Sequence, residues 1–347
     1  MPIRMLPGSL EKVNTHCNLC AMQCGLKLWV EPMNGQVIGL ESDYDFPTTH
    51  GLMCIKGSVS HKQIHHPDRI TRPLLRETLA QTFRPVSLEE ALSFCAERIR
   101  QVQAAHGPAA MAVYGGGALT NETVYLLGKW ARLVLKTPNI DYNGRFCMSS
   151  AAAAQNKAFG VDRGLPFPVS DINEARCLLV VGANIAECLP PLADNLRRAR
   201  EQGAVIIVVD PRMTDTGRLA DEVLPIRPGT DLALAQALLH VILREGWVDH
   251  RFVAEHTCNF EAVQASVRSC TPEWAQGITG IPADRIEEVA RLFASTPNSM
   301  VLSARGAEQQ SKGVDTVLAF INLVLVTGKI GRPGCGFGTL TGQGNGQ

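Results

Sequence analysis

Four cysteines near the N-terminus constrain this chain more than any other feature. Cys17, Cys20 and Cys24 follow a C-x2-C-x3-C spacing, and Cys54 stands 29 intervening residues further on. Three thiolates within eight residues can wrap one metal centre, and a fourth from a distant loop can close the cage. Two kinds of centre compete for such a set. Zinc takes four thiolates tetrahedrally, commonly as two closely spaced cysteine pairs. A cubane iron–sulfur cluster is wider and is commonly served by three close cysteines and one remote. Cys54 has no near cysteine partner, which favours the cluster over a zinc ribbon. Lys56, in Cys54-Ile55-Lys56-Gly57, reads on its own as a solvated loop lysine.

Seven more cysteines bring the total to eleven, and none of the seven forms a C-x-x-C pair. A small secreted domain would use them for disulfides. Here 347 residues, 45% of them hydrophobic, supply core material enough, so metal binding is the better first explanation. Most of the seven (Cys95, Cys147, Cys177, Cys188, Cys258, Cys270 and Cys335) read as small buried hydrophobes. Cys95 illustrates this. Ser87 and Glu90 form a capping box, and Leu88, Ala91, Leu92, Cys95, Ile99 and Val102 then share one helical face, which places Cys95 in a core.

The charges balance, 33 basic against 33 acidic, so no basic excess points to nucleic acid or to a membrane surface. No segment reaches the roughly 18 apolar residues of a membrane span. The nearest, Val314 to Val326, is short and contains Asp315 and Asn322. Met1 to Leu10 shows neither an apolar signal core nor twin arginines, which suggests a cytoplasmic location.

Beyond about residue 66 the pattern becomes α/β. Pro67, Pro73 and Pro85 mark a connecting stretch. Short apolar strands are expected at 110–114, 177–181, 204–209, 224–227 and 300–304, with helices at 87–105, 120–135, 189–202, 231–245 and 314–327 between or after them. Such alternation implies parallel sheets covered on both faces, with ligands beyond the carboxyl ends of the strands. Glycine and polar clusters lie at those ends: Gly115-Gly116-Gly117, Gly182-Ala183-Asn184, Asp210-Pro211-Arg212, Pro228-Gly229-Thr230-Asp231 and Arg305-Gly306-Ala307-Glu308. No G-x-G-x-x-G occurs at any of these turns. Ordinary strand-to-helix turns would explain any one of them, but several in register suggest a nucleotide-binding crevice.

Seven blocks in order resemble the bis-molybdopterin-guanine-dinucleotide oxidoreductases, the family of formate dehydrogenases and prokaryotic nitrate reductases. They are Cys17–Cys24, Cys54–Gly57, Thr120–Glu122, Asn143–Ser150, Gly182–Cys188, Asp210–Arg212 with Pro228–Asp231, and Gly338–Gln347. The resemblance implies a [4Fe-4S] cluster on Cys17, Cys20, Cys24 and Cys54, with Lys56 between cluster and pterin on the electron path. It implies molybdenum bis(molybdopterin guanine dinucleotide) as the second cofactor, with Cys147 as the molybdenum ligand, a role that suits a soft thiolate. Asn184, Glu187, Asp210, Gly229, Thr230 and Asp231 match segments lining the guanine dinucleotides. Gly306, Glu308, Gln309, Gly342, Gln343 and Asn345 match segments near the pterins.

Formate dehydrogenases of the family typically follow their metal ligand with histidine. Here Met148-Ser149-Ser150 follows Cys147, and with the closing Leu340–Gln347 run this looks like the assimilatory nitrate reductases. The implied reaction is two-electron reduction of nitrate to nitrite. The implied partners are nitrate and an electron-donor protein or domain (ferredoxin, flavodoxin or an NADH-linked reductase), with no nucleic acid and no membrane span. Arg145 is a candidate for guiding the anion by charge, and equally for a structural salt bridge. Alternatives are formate oxidation, or an incomplete, inactive cluster-bearing fragment, because family subunits continue past the final Gly-Gln-x-Asn. The expected architecture is a [4Fe-4S] domain over 1–65, an α/β cofactor-binding domain formed by 66–142 with 305–347, and an inserted α/β guanine-dinucleotide-binding domain over 143–304. The last two are expected to be doubly wound parallel sheets.

Overall fold

The computed structural model describes residues 10–161 and 164–344. The chain divides into two compact units, residues 1–19 with 23–145, and residues 20–22 with 146–347.

In the first unit, β1 (Glu11–His16), β2 (Gly25–Val30) and β3 (Val37–Ser42) form an antiparallel sheet in that order. The β1–β2 ladder closes at His16 opposite Gly25, so the cysteine loop is the hairpin connection. A short helix, α1 (Ile55–Ser58), follows Cys54. Next come a small ladder of β4 (Leu74–Leu75) with β5 (Arg84–Pro85), and α2 (Leu88–His106). β6 (Val113–Gly115) and β7 (Ile140–Tyr142) pair in parallel around α3 (Asn121–Lys129), which runs on into a π-helical turn at Trp130–Val134. Thr120 caps α3 by accepting the Thr123 N–H. Its core is small: Val113, Ala131 and Leu135, with Ile99, Leu127 and Ile140 against them.

The second unit carries α4 (Gly144–Phe159) from Phe146 onward. Its strands are β8 (Cys177–Val181), β9 (Val205–Val209), β10 (Glu222–Leu224), β11 (Ser299–Ser303) and β12 (Gly336–Thr339). They form one all-parallel sheet in the order β10-β9-β8-β11-β12. Between the strands lie α5 (Ile185–Cys188), α6 (Leu192–Glu201), α7 (Asp231–Arg244), α8 (His250–His256), α9 (Phe260–Val267), α10 (Pro272–Thr279), α11 (Ala283–Ser295), α12 (Arg305–Glu308) and α13 (Gly313–Val326). The strands are buried on both faces, as their unbroken apolar runs require. Among the described residues no helix is long and apolar enough to cross a membrane.

Several expectations shift. The helix expected at 189–202 begins later, as α6 at Leu192, after Pro190-Pro191, and a separate short turn, α5, precedes it. The strand expected at 224–227 ends at Leu224, where Pro225 cannot donate to the ladder. The first strand starts three residues late, after a 3-10 turn at Pro108–Ala110. The Ser87 cap forms, but the Glu90 carboxylate pairs with Arg84 at 2.7 Å instead of completing a capping box.

Two differences are larger. Residues 305–344 pack with 146–304, because β12 extends the large sheet beside β11, whereas the expectation grouped 305–347 with 66–142. And of the six cysteines expected in cores, Cys177, Cys270 and Cys335 are buried, whereas Cys95, Cys188 and Cys258 are exposed. Cys95 is exposed because the small β6–β7 layer leaves much of the α2 apolar stripe uncovered; Leu92 is 61% exposed. Cys258 lies in the short α8–α9 connection, and Cys188 at the mouth of a cleft described below.

Candidate cofactor site

In the first unit the neck of the cysteine loop is closed by the Cys17 N–H, which donates to the Cys24 carbonyl at 2.8 Å, while Cys20 is counted with the second unit. The neighbouring Gly25 N–H donates to Thr49 Oγ1 at 3.3 Å, and the Phe46 ring leaves no room for a side chain on Gly25. Cys17 and Cys24 are buried; Cys20 and Cys54 are half-buried. Cys54 caps α1, and its carbonyl accepts the Ser58 N–H at 3.0 Å. One turn on, a Cβ placed on Gly57 would stand 3.8 Å from Cys17 Sγ. The Cys54 segment therefore lies beside the Cys17 sulfur, while the contact that leaves no room for a side chain on Gly57 is Met53 Cγ at 2.8 Å. None of the eleven cysteines is in a disulfide. Among the described residues no three His, Cys, Asp or Glu side chains close on a single-ion site. A cluster brings its own sulfides and takes one thiolate per iron, so it needs wider spacing, and this all-sulfur donor set fits it. Lys56 is exposed on α1.

In the second unit the strand order reverses between β8 and β11, the place where doubly wound sheets open a crevice at their carboxyl ends. Gly182 follows β8 and Gly306 lies just beyond β11. The Gly306 N–H donates to the Gly182 carbonyl at 3.0 Å, and a Cβ on Gly306 would lie 2.7 Å from the Gly182 Cα. Gly182 also has φ +58°, a left-handed conformation that suits glycine. Two clefts border this crossing. One, of about 390 Å³, is lined by Asn184, Asp210, Arg212, Gly229, Asp231 and Gln310 among others. The other, of about 190 Å³, is lined by Asn184, Ile185, Arg305, Leu340, Thr341 and Gly342 among others.

In the larger cleft Asp210 and Asp231 are both buried. Burial, reinforced by Asp210, pushes the Asp231 carboxyl up to about 6. Asp210 Oδ1 accepts the Arg212 N–H at 2.9 Å, which folds the turn after β9. Gly229, at φ +80°, leaves the Gln310 amide only 3.3 Å from where a Cβ would be. In the smaller cleft the Thr341 hydroxyl is buried without a hydrogen-bond partner among the described residues. Bare backbone, two buried carboxylates and an orphaned hydroxyl fit a ligand rich in hydrogen-bonding groups, such as a dinucleotide.

Cys147 lies on the first turn of α4 and is half-buried. Its carbonyl and that of Phe146 accept from Gln309 Nε2 at 3.5 and 2.9 Å. The Arg305 Nη1 lies 3.7 Å from Cys147 Sγ and 2.7 Å from Met148 Sδ. Arg305 is held by Glu308, whose Oε2 accepts from Nη2 and, at 2.9 Å, from Nε. The other Glu308 oxygen accepts from Ser303 Oγ and, at 3.0 Å, from Thr339 Oγ1.

Residues 69–346 match the family described as Molybdopterin oxidoreductase, and residues 10–66 match the Molybdopterin oxidoreductase Fe4S4 domain. The chain belongs to the molybdopterin oxidoreductase family. The two domains bring a molybdenum–pterin cofactor and a [4Fe-4S] cluster. The chain is 44% identical to the assimilatory nitrate reductase catalytic subunit of Bacillus subtilis, over 98% of its own length and 48% of that protein. It is 35% identical to the F420-dependent formate dehydrogenase subunit alpha of Methanocaldococcus jannaschii, over 96% of its length and 48% of that protein. It thus spans about half the length of these relatives. Its fold is that of acetylene hydratase from Pelobacter acetylenicus, with a TM-score of 0.81 at 24% identity, over 92% of this chain and 44% of that one.

In this molybdopterin oxidoreductase the expected residues are placed unevenly. Asn184, Asp210, Gly229, Asp231, Gly306 and Gly342 line the clefts. Glu187 is exposed on α5 and lines neither. The Thr230 hydroxyl donates to the Arg227 carbonyl at 2.6 Å and so shapes the turn before α7. Gln343 is half-buried in the closing segment, and Asn345 lies outside the described residues. Arg145 pairs with Asp141 and holds that carboxyl below its usual range. The arginine against Cys147 is instead Arg305. Its sequence signal was the Arg305–Glu308 spacing on a single helical turn.

Proposed function

We propose that this protein reduces nitrate to nitrite in the cytoplasm, taking two electrons and two protons and releasing water. The supporting observation is the 44% identity to an assimilatory nitrate reductase along nearly the whole chain, against 35% to a formate dehydrogenase. When bound, the molybdenum–pterin group supplies two-electron oxygen-transfer chemistry. Cys147 offers the soft thiolate, and Gln309 fixes its main chain. Asp210 and Asp231 would offer carboxylate oxygens to the N–H edge of a guanine, and the bare backbone at the Gly182–Gly306 crossing would let the dinucleotide approach closely. Cys17, Cys20, Cys24 and Cys54 would hold the cluster. Lys56, exposed on α1, would assist electron delivery from the cluster, with a ferredoxin, a flavodoxin or an NADH-linked reductase as the donor. Met148 bears on the formate alternative. Its side chain is buried against Arg305, so the position after Cys147 offers no imidazole to carry a proton from a C–H bond. The test compares nitrate reduction driven by reduced methyl viologen with formate oxidation in the molybdenum-loaded protein. Formate oxidation without nitrate reduction would replace the proposal.

A further inference from the structure

We propose that Arg305 is the residue that binds and orients the planar oxyanion substrate at Cys147, and that Glu308 positions it. The inference rests on the nitrate reduction proposed above and names the group that recognises the anion.

A guanidinium carries five N–H donors in a rigid plane. In Arg305, Nε and Nη2 are both taken by Glu308. The remaining nitrogen, Nη1, has the sulfurs of Cys147 and Met148 as its hydrogen-bond partners among the described residues. Thiol and thioether sulfurs are weak acceptors, so its donors go to any better acceptor that enters. Nitrate is planar, singly charged and made of such acceptors. The Arg305 side chain is 22% exposed, so it is not sealed away from an entering anion.

The support beneath it is rigid. Glu308 is 1% exposed, and its second oxygen is tied to Ser303 on β11 and Thr339 on β12. A buried carboxylate held on two neighbouring strands fixes the plane of the guanidinium. It also neutralises Arg305 overall. The anion is then held by directed donors without a large net charge, which allows an anionic product to leave. Gln309, the next residue, ties this segment to the Phe146 and Cys147 carbonyls and keeps Arg305 in register with the Cys147 sulfur.

The test uses the full-length, molybdenum-loaded protein with Arg305→Met, Arg305→Lys and Glu308→Gln, each checked first for molybdenum, iron and unfolding midpoint. Arg305→Met should keep its metals and raise the KM for nitrate about 10- to 100-fold, while the KM for the artificial electron donor is unchanged. Arg305→Lys should recover part of the loss. Glu308→Gln should give a smaller rise in the same constant. The second readout is the change in the Mo(V) paramagnetic spectrum on adding nitrate or nitrite, which should occur in the parent and vanish in Arg305→Met. A KM within twofold of the parent, or an anion-dependent spectrum that survives in Arg305→Met, overturns the proposal. If the parent does not reduce nitrate, the function proposed above fails, and the spectral comparison, repeated with formate, decides the role of Arg305 alone. A spectrum in the parent that responds to none of these anions then overturns it.

Discussion

Gly182 and Gly306 cross backbone to backbone at the carboxyl ends of β8 and β11, joined by a 3.0 Å hydrogen bond. This contact makes the crevice of the large sheet narrow at its centre and open on either side. A methyl group on Gly182 would run into the Ala307 nitrogen and come within 2.8 Å of the Gly306 carbonyl carbon, and φ at Gly182 is already positive. Backbone cannot give way as a side-chain tip can. Gly182→Ala should therefore destabilise the protein by about 2–4 kcal/mol. Gly116→Ala is the control, since nothing lies within 4 Å of its added Cβ. Urea unfolding of both variants checks the difference.

Asp231 gives the protein a pH dependence of defined sign. Its carboxyl is 5% exposed at the start of α7, and burial raises it to about 6. A carboxyl raised in the folded state is best tolerated protonated. Its contribution is full below about pH 4 and is lost as pH rises through about 6. Asp231→Asn removes that titration. At pH 8 the variant, without bound cofactor, should be more stable than the parent by roughly 2 kcal/mol, and the difference should shrink towards zero below pH 4.5. Unfolding midpoints measured across that range test this. A difference that does not vary with pH would assign the effect to packing.

The two units should also open with different ease. In the first, β6 pairs only with β7, over a core of Val113, Ala131 and Leu135. In the second, β8 is flanked by β9 and β11 and has no exposed residue. Amide exchange tracks such local openings. The β8 amide of Leu179 should exchange at least about 100-fold more slowly than the β6 amide of Val113. Hydrogen exchange followed by mass spectrometry of the 347-residue chain reads this directly.

What the sequence disclosed follows the reach of each interaction. β8 was legible in full because its five apolar residues need burial on both faces. α7 was legible because the Pro228-Gly229-Thr230-Asp231 turn precedes its long apolar run. The cysteine loop was legible because metal-ligand spacing is a local property. Pairings between distant segments were not. Nothing near β12 says that it joins β11, which is why the closing segment was expected beside 66–142. The exposure of Cys95 depends on how much sheet lies beneath α2, and a helical stripe is silent on that. Arg305 escaped notice for a similar reason. Its meaning comes from Cys147, 158 positions away.

The cysteines separate into two classes that one experiment distinguishes. Cys17 is buried at the neck of the β1–β2 loop, with Gly57 of the Cys54 segment facing its sulfur. Cys95 and Cys258 are exposed and lie far along the chain from that loop. A cubane cluster missing one of its thiolates is held by three and is open to solvent and oxygen, and serine is a harder and poorer ligand for iron than cysteine. Cys17→Ser and Cys54→Ser should therefore lose most of their iron and the brown charge-transfer absorbance. Cys95→Ser and Cys258→Ser should keep both. Lys56→Met belongs between these groups. The side chain is exposed on α1, so its removal should leave the iron content unchanged while slowing electron delivery to the molybdenum site. Iron analysis, visible spectra and the rate of reoxidation of the reduced cluster by nitrate separate the three outcomes. A Lys56→Met variant that retains its iron and reoxidises at the parent rate would remove Lys56 from the electron path.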